Sequence, residues 1–233
     1  KLAERTLAYF LSELVPKNNL RITNFGEYLE YNPPEFEVKI KAGKNGQGTS
    51  WSCPHGVDRW KDDCGCGGGD GRHQRWRKPL RESLDWLRDQ LITIYENSGS
   101  RYFKDIWIAR DEYIDLILEN SDQAALKYFG ENASRILTQD ELQICYKLLE
   151  MQRFSMFMFT SCGWFFSEIS GLEAVQILQY AARAIELAKE LSGTSLEIEF
   201  LERLAHAESN LKRYRNGKSV YNRLVKPARE KHV

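Results

Sequence analysis

Three of the chain's five cysteines, one of its four histidines and two of its six tryptophans fall between residues 49 and 66. The segment reads Thr49-Ser-Trp-Ser-Cys-Pro-His-Gly-Val-Asp-Arg-Trp-Lys-Asp-Asp-Cys-Gly-Cys66. It has no helical periodicity, and a glycine run follows it. Reactive and aromatic side chains gathered in a loop mark a site, because a loop needs few of them for packing. Cys53, His55, Cys64 and Cys66 form a C-x-H-x8-C-x-C array. Thiolate and imidazole are zinc ligands, and four of them close a tetrahedral structural site. The one-residue spacing departs from the usual C-x2-C knuckle, and His73 offers a substitute ligand. The alternative is a reduced loop whose cysteines pack as small hydrophobes, or a pair that oxidises on isolation. A Cys53–His55 nucleophile pair is a third reading, but cysteine catalysis usually takes its base from a distant segment, and no third orienting group is evident.

The rings suggest a different chemistry. Trp51 and Trp60, with Trp76 and Trp86 close behind, offer flat apolar faces for sugar rings. Asp58, Arg59, Asp62 and Asp63 offer hydrogen bonds to hydroxyls. Apolar walls with a few placed polar groups are what a small-molecule cleft needs. The competing reading is that these tryptophans pin a long loop onto a helical bundle, above all Trp86, which sits between Leu84 and Leu87 in a helical pattern. Gly43-Lys-Asn-Gly-Gln-Gly-Thr-Ser50 lacks the phosphate-loop spacing and does not lead into a helix. The run from Gly65 to Gly71 reads as a flexible tip. Asn132-Ala-Ser134 has the pattern of a glycosylation sequon, but nothing points to secretion.

The surrounding elements read as mainly helical. Leu2 to Val15 carries a helical apolar stripe that Pro16 ends. Leu20 to Thr23 reads as a short strand, Phe25 to Tyr31 as one or two helical turns stopped by Pro33-Pro34, and the alternation of Phe36, Val38 and Ile40 as a second strand. Residues 42–77 form a long Gly/Cys/Trp-rich loop, and a loop of that length is commonly functional or disordered. From Pro79 the pattern is helical, with one face marked by Leu80, Leu84, Leu87, Leu91 and Ile94. Further helices are expected at 101–119, 122–130, 138–169, 171–191, 194–208 and 217–225, with a capping box at Thr138 and Glu141. Met151 to Ile169, apolar nearly all round, is expected to be the central buried helix.

Composition narrows the function classes. Lys plus Arg equals Asp plus Glu at 33 each, which argues against nucleic-acid binding by bulk electrostatics, although Arg72 to Arg81 forms a local basic run. The longest apolar run, Phe154 to Phe166, is too short for the roughly 20 residues that span a bilayer. The odd number of cysteines, with Cys145 and Cys162 in apolar helical contexts, implies a reducing, cytoplasmic setting with those two in a core. The helical pattern is already running at Lys1, so the chain reads as a piece of a longer protein.

The 49–66 segment resembles the signature of an uncharacterised bacterial domain that lies C-terminal to glycoside hydrolase family 57 catalytic domains. Three more stretches resemble the same family: Lys78-Pro-Leu-Arg-Glu-Ser-Leu-Asp-Trp-Leu-Arg-Asp89, Met158-Phe-Thr-Ser-Cys-Gly-Trp-Phe-Phe-Ser-Glu-Ile-Ser-Gly171 and Gln179-Tyr-Ala-Ala-Arg-Ala-Ile-Glu-Leu-Ala188. Glu4-Arg-Thr-Leu-Ala-Tyr9 through Thr23-Asn-Phe-Gly-Glu-Tyr-Leu-Glu30 resembles the tail of the catalytic barrel. The resemblance implies three parts: residues 1–41 as a short α/β remnant of a (β/α)7 barrel, 42–77 as a functional loop, and 78–233 as a C-terminal helical bundle. It implies action on α-glucan or related saccharides with retention. Retaining chemistry uses two carboxylates about 5–5.5 Å apart, and in the family both come from the barrel, so no catalytic residue is assigned here and the fragment is expected to be silent alone. The loop and the helical domain should shape the saccharide cleft through Trp51, His55, Arg59, Trp60 and Trp164. Cys162-Gly163 stands where related helical domains carry an acidic position. The expected partners are the upstream barrel and the saccharide, with neither nucleic acid nor membrane. A structural zinc at Cys53, His55, Cys64 and Cys66 would hold the loop in shape. The alternatives are a zinc-stabilised interaction module and a purely structural helical domain.

Overall fold

The computed structural model describes residues 2–66 and 71–230. Its chain divides into two compact units, one ending at Lys41 and one beginning at Ala42. Among the described residues there is no strand. The mainly helical expectation holds, and the two strands expected in the first unit are absent.

In the first unit, α1 (Leu2–Tyr9) runs on through a π-helical turn at Phe10–Leu14 into Val15–Lys17. The helix therefore passes Pro16 before it stops. Proline removes one backbone donor and crowds the carbonyl four residues earlier, and a widened π turn relieves both. The second helix, α2 (Phe25–Tyr31), starts at Asn24, whose side chain accepts the Glu27 N–H. Glu27 also pairs with Arg21 and accepts the Thr23 hydroxyl. Phe36, Val38 and Ile40 lie in extended chain without a partner strand and are at least 80% exposed. Alternation alone makes a segment amphipathic when extended; pairing needs a neighbouring edge. No described residue of this unit is buried.

The second unit is a helical bundle. The helix α3 (Arg77–Gly99) buries Leu80, Leu84, Leu87, Leu91 and Tyr95 along one stripe. It is followed by α4 (Ile106–Glu119), α5 (Asp122–Asn132) and α6 (Gln139–Phe157). The helix α6 opens on the expected capping box: Thr138 Oγ1 accepts the Glu141 N–H, and the Glu141 carboxylate accepts the Thr138 N–H. The chain then closes with α7 (Leu172–Ser192), α8 (Glu197–Leu204) and α9 (Gly217–Val220), which continues through Tyr221–Val225 into Lys226–Glu230. The most extensive contact is α6 against α7. A side cluster of Phe103, Tyr113, Tyr128, Phe129 and Cys145 fills the space between α4, α5 and α6.

The expected central helix over 138–169 is corrected. Helix α6 stops at Phe157, and the next residues turn through a short 3-10 segment, Ser161–Trp164. The helix with the most buried residues is α7, among them Ala174, Ala181, Ala182, Ala184 and Ala188. Small side chains there let neighbouring helices come close. The apolar run misled because part of it is surface: Met156 and Phe166 are 53% and 55% exposed. Cys145 is buried as expected, and burial pushes its thiol up to about 12. Cys162, expected in a core, is exposed on the turn.

Candidate functional site

The loop ahead of α3 is long but not loose. Gly43 sits at φ +71°, and a Cβ there would lie 2.2 Å from the Gly48 carbonyl oxygen, so only glycine closes this turn. Beyond it Cys53 is buried, Cys64 and Cys66 are half-buried, and His55 is exposed. Cys53 Sγ lies 3.8 Å from Cys64 Sγ, 4.0 Å from Cys66 Sγ and 3.9 Å from His55 Nδ1. Cys66 Sγ lies 3.4 Å from His55 Nδ1. All four donor atoms fall within 4.8 Å of one another.

Those distances match one ion. With Zn–S of about 2.3 Å and Zn–N of about 2.0–2.1 Å, tetrahedral geometry sets S···S edges at about 3.8 Å and S···N edges at about 3.6 Å. The four side chains therefore form a candidate metal centre. The short C-x-C spacing is resolved by Gly65, which takes φ +75° and reverses the chain between Cys64 and Cys66. Asp63 holds that turn, its Oδ1 accepting the Gly65 N–H at 3.1 Å and its Oδ2 the Gln74 N–H at 3.1 Å. The glycine run expected as a flexible tip lies, from Gly67 to Asp70, outside the described residues.

Burial alone would push the Cys53 thiol up. Hydrogen bonds from the backbone and ring of His55, from Cys64 and from the Arg59 backbone outweigh burial and bring it down to about 7. Burial, with its thiol neighbours, holds Cys64 above its ordinary value. Cys53 is thus the first of these two to offer a thiolate, the form that binds metal.

The loop's other side chains fasten it to the Ser161–Trp164 turn. Trp60 Nε1 donates to the Ser161 carbonyl at 3.1 Å. Arg59 Nη1 donates to the Phe165 carbonyl at 3.4 Å, and its guanidinium lies 4.9 Å from the centre of the Phe165 ring. Arg81 reaches from α3 to the Trp60 carbonyl at 3.4 Å and stacks 4.9 Å from Phe159. Beneath them Trp76 and Trp164 stack at 6.2 Å and 15°, and Trp76 Nε1 donates to the Ser167 carbonyl. Between loop and turn lies an open cleft of about 310 Å³, lined among others by Ser50, Trp60, Arg81, Phe159 and Trp164. That is the low end of the roughly 300–1,000 Å³ typical of ligand pockets. Trp51, 93% exposed, stands 6.4 Å from Phe165.

The structure thus brings the expected residues Trp51, Arg59 and Trp60 around one turn, with the buried Trp164 lining the cleft, while His55 sits with the cysteines. The substitute ligand His73 is held elsewhere, its backbone N–H on Asn210. Sequence reasoning missed Phe159, Phe165 and Arg81, whose roles depend on a turn hidden inside an apparent helix. Within the local basic run Arg72–Arg81, Arg75 pairs with Glu208, Arg81 pairs with Asp85, and Arg77 is fully buried. A larger depression of about 740 Å³ lies between α5 and α6, walled by Leu126, Phe129 and Ile136. Its arginine, Arg135, is already paired with Glu141. No helix of the described residues is long and apolar enough to cross a membrane.

A family model described as a domain of unknown function (DUF3536) matches residues 72–232. No curated protein and no solved structure matches the chain significantly. The match covers most of the chain, which therefore belongs to the DUF3536 family.

Proposed function

We propose that this chain completes and shapes the saccharide cleft of a family-57-like glycoside hydrolase or transglycosidase, and that a structural zinc at Cys53, His55, Cys64 and Cys66 fixes the loop that does so. One observation carries the reading. Two separate motifs, 49–66 and 158–171, meet around a ring-lined cleft, with Trp60 bound to the Ser161 carbonyl and Trp51 beside Phe165. Tryptophan and phenylalanine faces next to Arg59 and Arg81 suit sugar rings, which present C–H faces for stacking and hydroxyls for hydrogen bonding. The loop must hold still to do this, and a four-ligand closed metal site is a way to make a glycine-rich loop rigid. Residues 2–41, none of them buried, suit a segment that finishes another domain, here the catalytic barrel that supplies both carboxylates.

The experiment is kinetic and uses the protein joined to its preceding catalytic domain. Trp51→Ala removes a side chain that is 93% exposed, so stability should hold. Turnover or binding of α-glucan oligosaccharides should fall at least several-fold. Unchanged kinetics in both Trp51→Ala and Trp60→Ala would leave a purely structural, zinc-clipped helical domain as the better account.

A further inference from the structure

The thiols of the candidate metal centre are close enough to react with one another as well as to share an ion. Cys53 Sγ lies 3.8 Å from Cys64 Sγ and 4.0 Å from Cys66 Sγ. A disulfide needs about 2.0 Å between its sulfurs, so the nearer pair must close by only about 1.8 Å. Cys66 is the sulfur beside the imidazole, 3.4 Å from His55 Nδ1. The chain at Cys64 has room for the move. A Cβ built on Gly65, the next residue, would meet nothing within 4 Å, so open space surrounds that turn.

Exposure divides the labour between the two sulfurs. Cys64 is half-buried, so a small oxidant in solvent can reach it. Cys53 is 3% exposed and is screened from the same oxidant, yet it stands in contact with Cys64. That is the arrangement of a thiol that is oxidised and a second thiol that resolves it. The two remaining cysteines are placed differently. Cys145 is buried in the side cluster with Phe103 and Phe129, and Cys162 is exposed on the Ser161–Trp164 turn.

We propose that Cys53 and Cys64 are a peroxide-sensitive pair that forms a reversible disulfide, and that this bond and the metal ion exclude one another. The exclusion rests on the metal reading given above. The Cys64 thiolate attacks one oxygen of hydrogen peroxide: an S–O bond forms, the O–O bond breaks and hydroxide leaves, so the sulfur is oxidised by two electrons and the peroxide reduced. The Cys53 thiolate then attacks the Cys64 sulfur: the S–S bond forms, the S–O bond breaks and a second hydroxide leaves. Two protons from solvent convert both hydroxides to water. The metal departs as the divalent ion it was, because His55 and Cys66 are two ligands where a closed structural site uses four. The span between Cys53 and Cys64 carries Arg59 and Trp60, so its ends are joined in both states. What oxidation sets free is His55, Cys66 and the ion.

The test adds hydrogen peroxide in steps to the zinc-loaded full chain. A chromophoric chelator reports free zinc, and mass spectrometry of non-reduced peptides reports the pairing. Zinc should leave in proportion to the disulfide formed, with two thiols lost for each ion released. The Cys53 and Cys64 peptides should be the linked pair, and dithiothreitol should restore both the thiols and the zinc uptake. Zinc retained at peroxide levels that already oxidise Cys162 would overturn the proposal and leave the metal site standing. So would a map dominated by another pairing or by sulfinic acid. Wild type that takes up no zinc would overturn the metal reading and the exclusion with it; the same map of the metal-free chain then decides the disulfide, and its absence there would refute the pair. Metal-free Cys66→Ser should form the bond as fast as wild type, and failure to form it would transfer the chemistry to Cys66 and overturn the assignment.

Discussion

Gly163 is where the cleft is most easily broken from behind. It sits in the turn that carries the Ser161 carbonyl and Trp164, and a Cβ built on it would lie 1.8 Å from Ile177 Cδ1, 2.5 Å from Ile177 Cγ1 and 3.3 Å from the Glu173 carbonyl oxygen. The first two distances are impossible for real atoms, so either Ile177 or the turn must move. Ile177 is fully buried on α7, so its side chain has no free direction. Overpacking by one methyl in such a place costs about 1–3 kcal/mol. For a chain of this size that lowers Tm by about 2–12 °C. Retreat of the turn would also lengthen the Trp60 Nε1 bond to Ser161 and disturb the Trp76–Trp164 stack. The assay is urea and thermal unfolding of Gly163→Ala, Ile177→Ala and the double variant. Ile177→Ala alone should cost about 2–5 kcal/mol. In the double variant the clash is gone and the new methyl occupies part of the vacated space, so the combined loss should fall short of the sum by about 1–3 kcal/mol. A Gly163→Ala variant within about 0.5 kcal/mol of wild type, or strictly additive losses, would refute this account of the turn.

Trp60→Phe keeps a ring but deletes the donor to Ser161, and should cost about 0.5–1.5 kcal/mol in denaturant unfolding, with Trp51→Phe nearly neutral as its comparison. Zinc held at a hundredfold above its Kd should add about 2.7 kcal/mol, a rise of roughly 5–11 °C in Tm that chelation reverses. Alkylation followed by mass spectrometry should then find Cys162 modified while Cys53, Cys64 and Cys66 are protected, and equal reactivity of all four with zinc present would count against the site. Thr138→Ala removes the cap of α6 and should cost about 0.5–2 kcal/mol. The side chain of Arg135 first, then the Thr138 N–H, brings the Glu141 carboxyl down from 4.5 to about 2. Because the folded value is the lower one, this contribution is complete above pH 4.5 and is lost as pH falls towards 2; Glu141→Gln should flatten that part of the acid-unfolding profile.

What the sequence made legible follows the range of the interactions involved. In the second unit the signals that hold are short-range ones, such as the capping box at Thr138 and the leucine stripe of α3, because they depend on neighbours three or four residues away. The ligand types at Cys53, His55, Cys64 and Cys66 were equally plain. Their convergence was not, because it depends on the left-handed turn at Gly65, which one glycine among many did not announce. The run from Phe154 to Phe166 failed for a related reason: hydropathy does not distinguish a ring buried in a core from one displayed at a surface, and Phe165 and Phe166 are displayed. Strands read from Phe36, Val38 and Ile40 failed because alternation describes one chain, while a sheet requires two. Arg77 was the least legible of all. In the sequence it is one cation in a basic run; in the fold its side chain is fully buried and its guanidinium lies against the Trp76 ring. A buried charge is defined by what the chain closes over it, so its meaning exists only at the tertiary level.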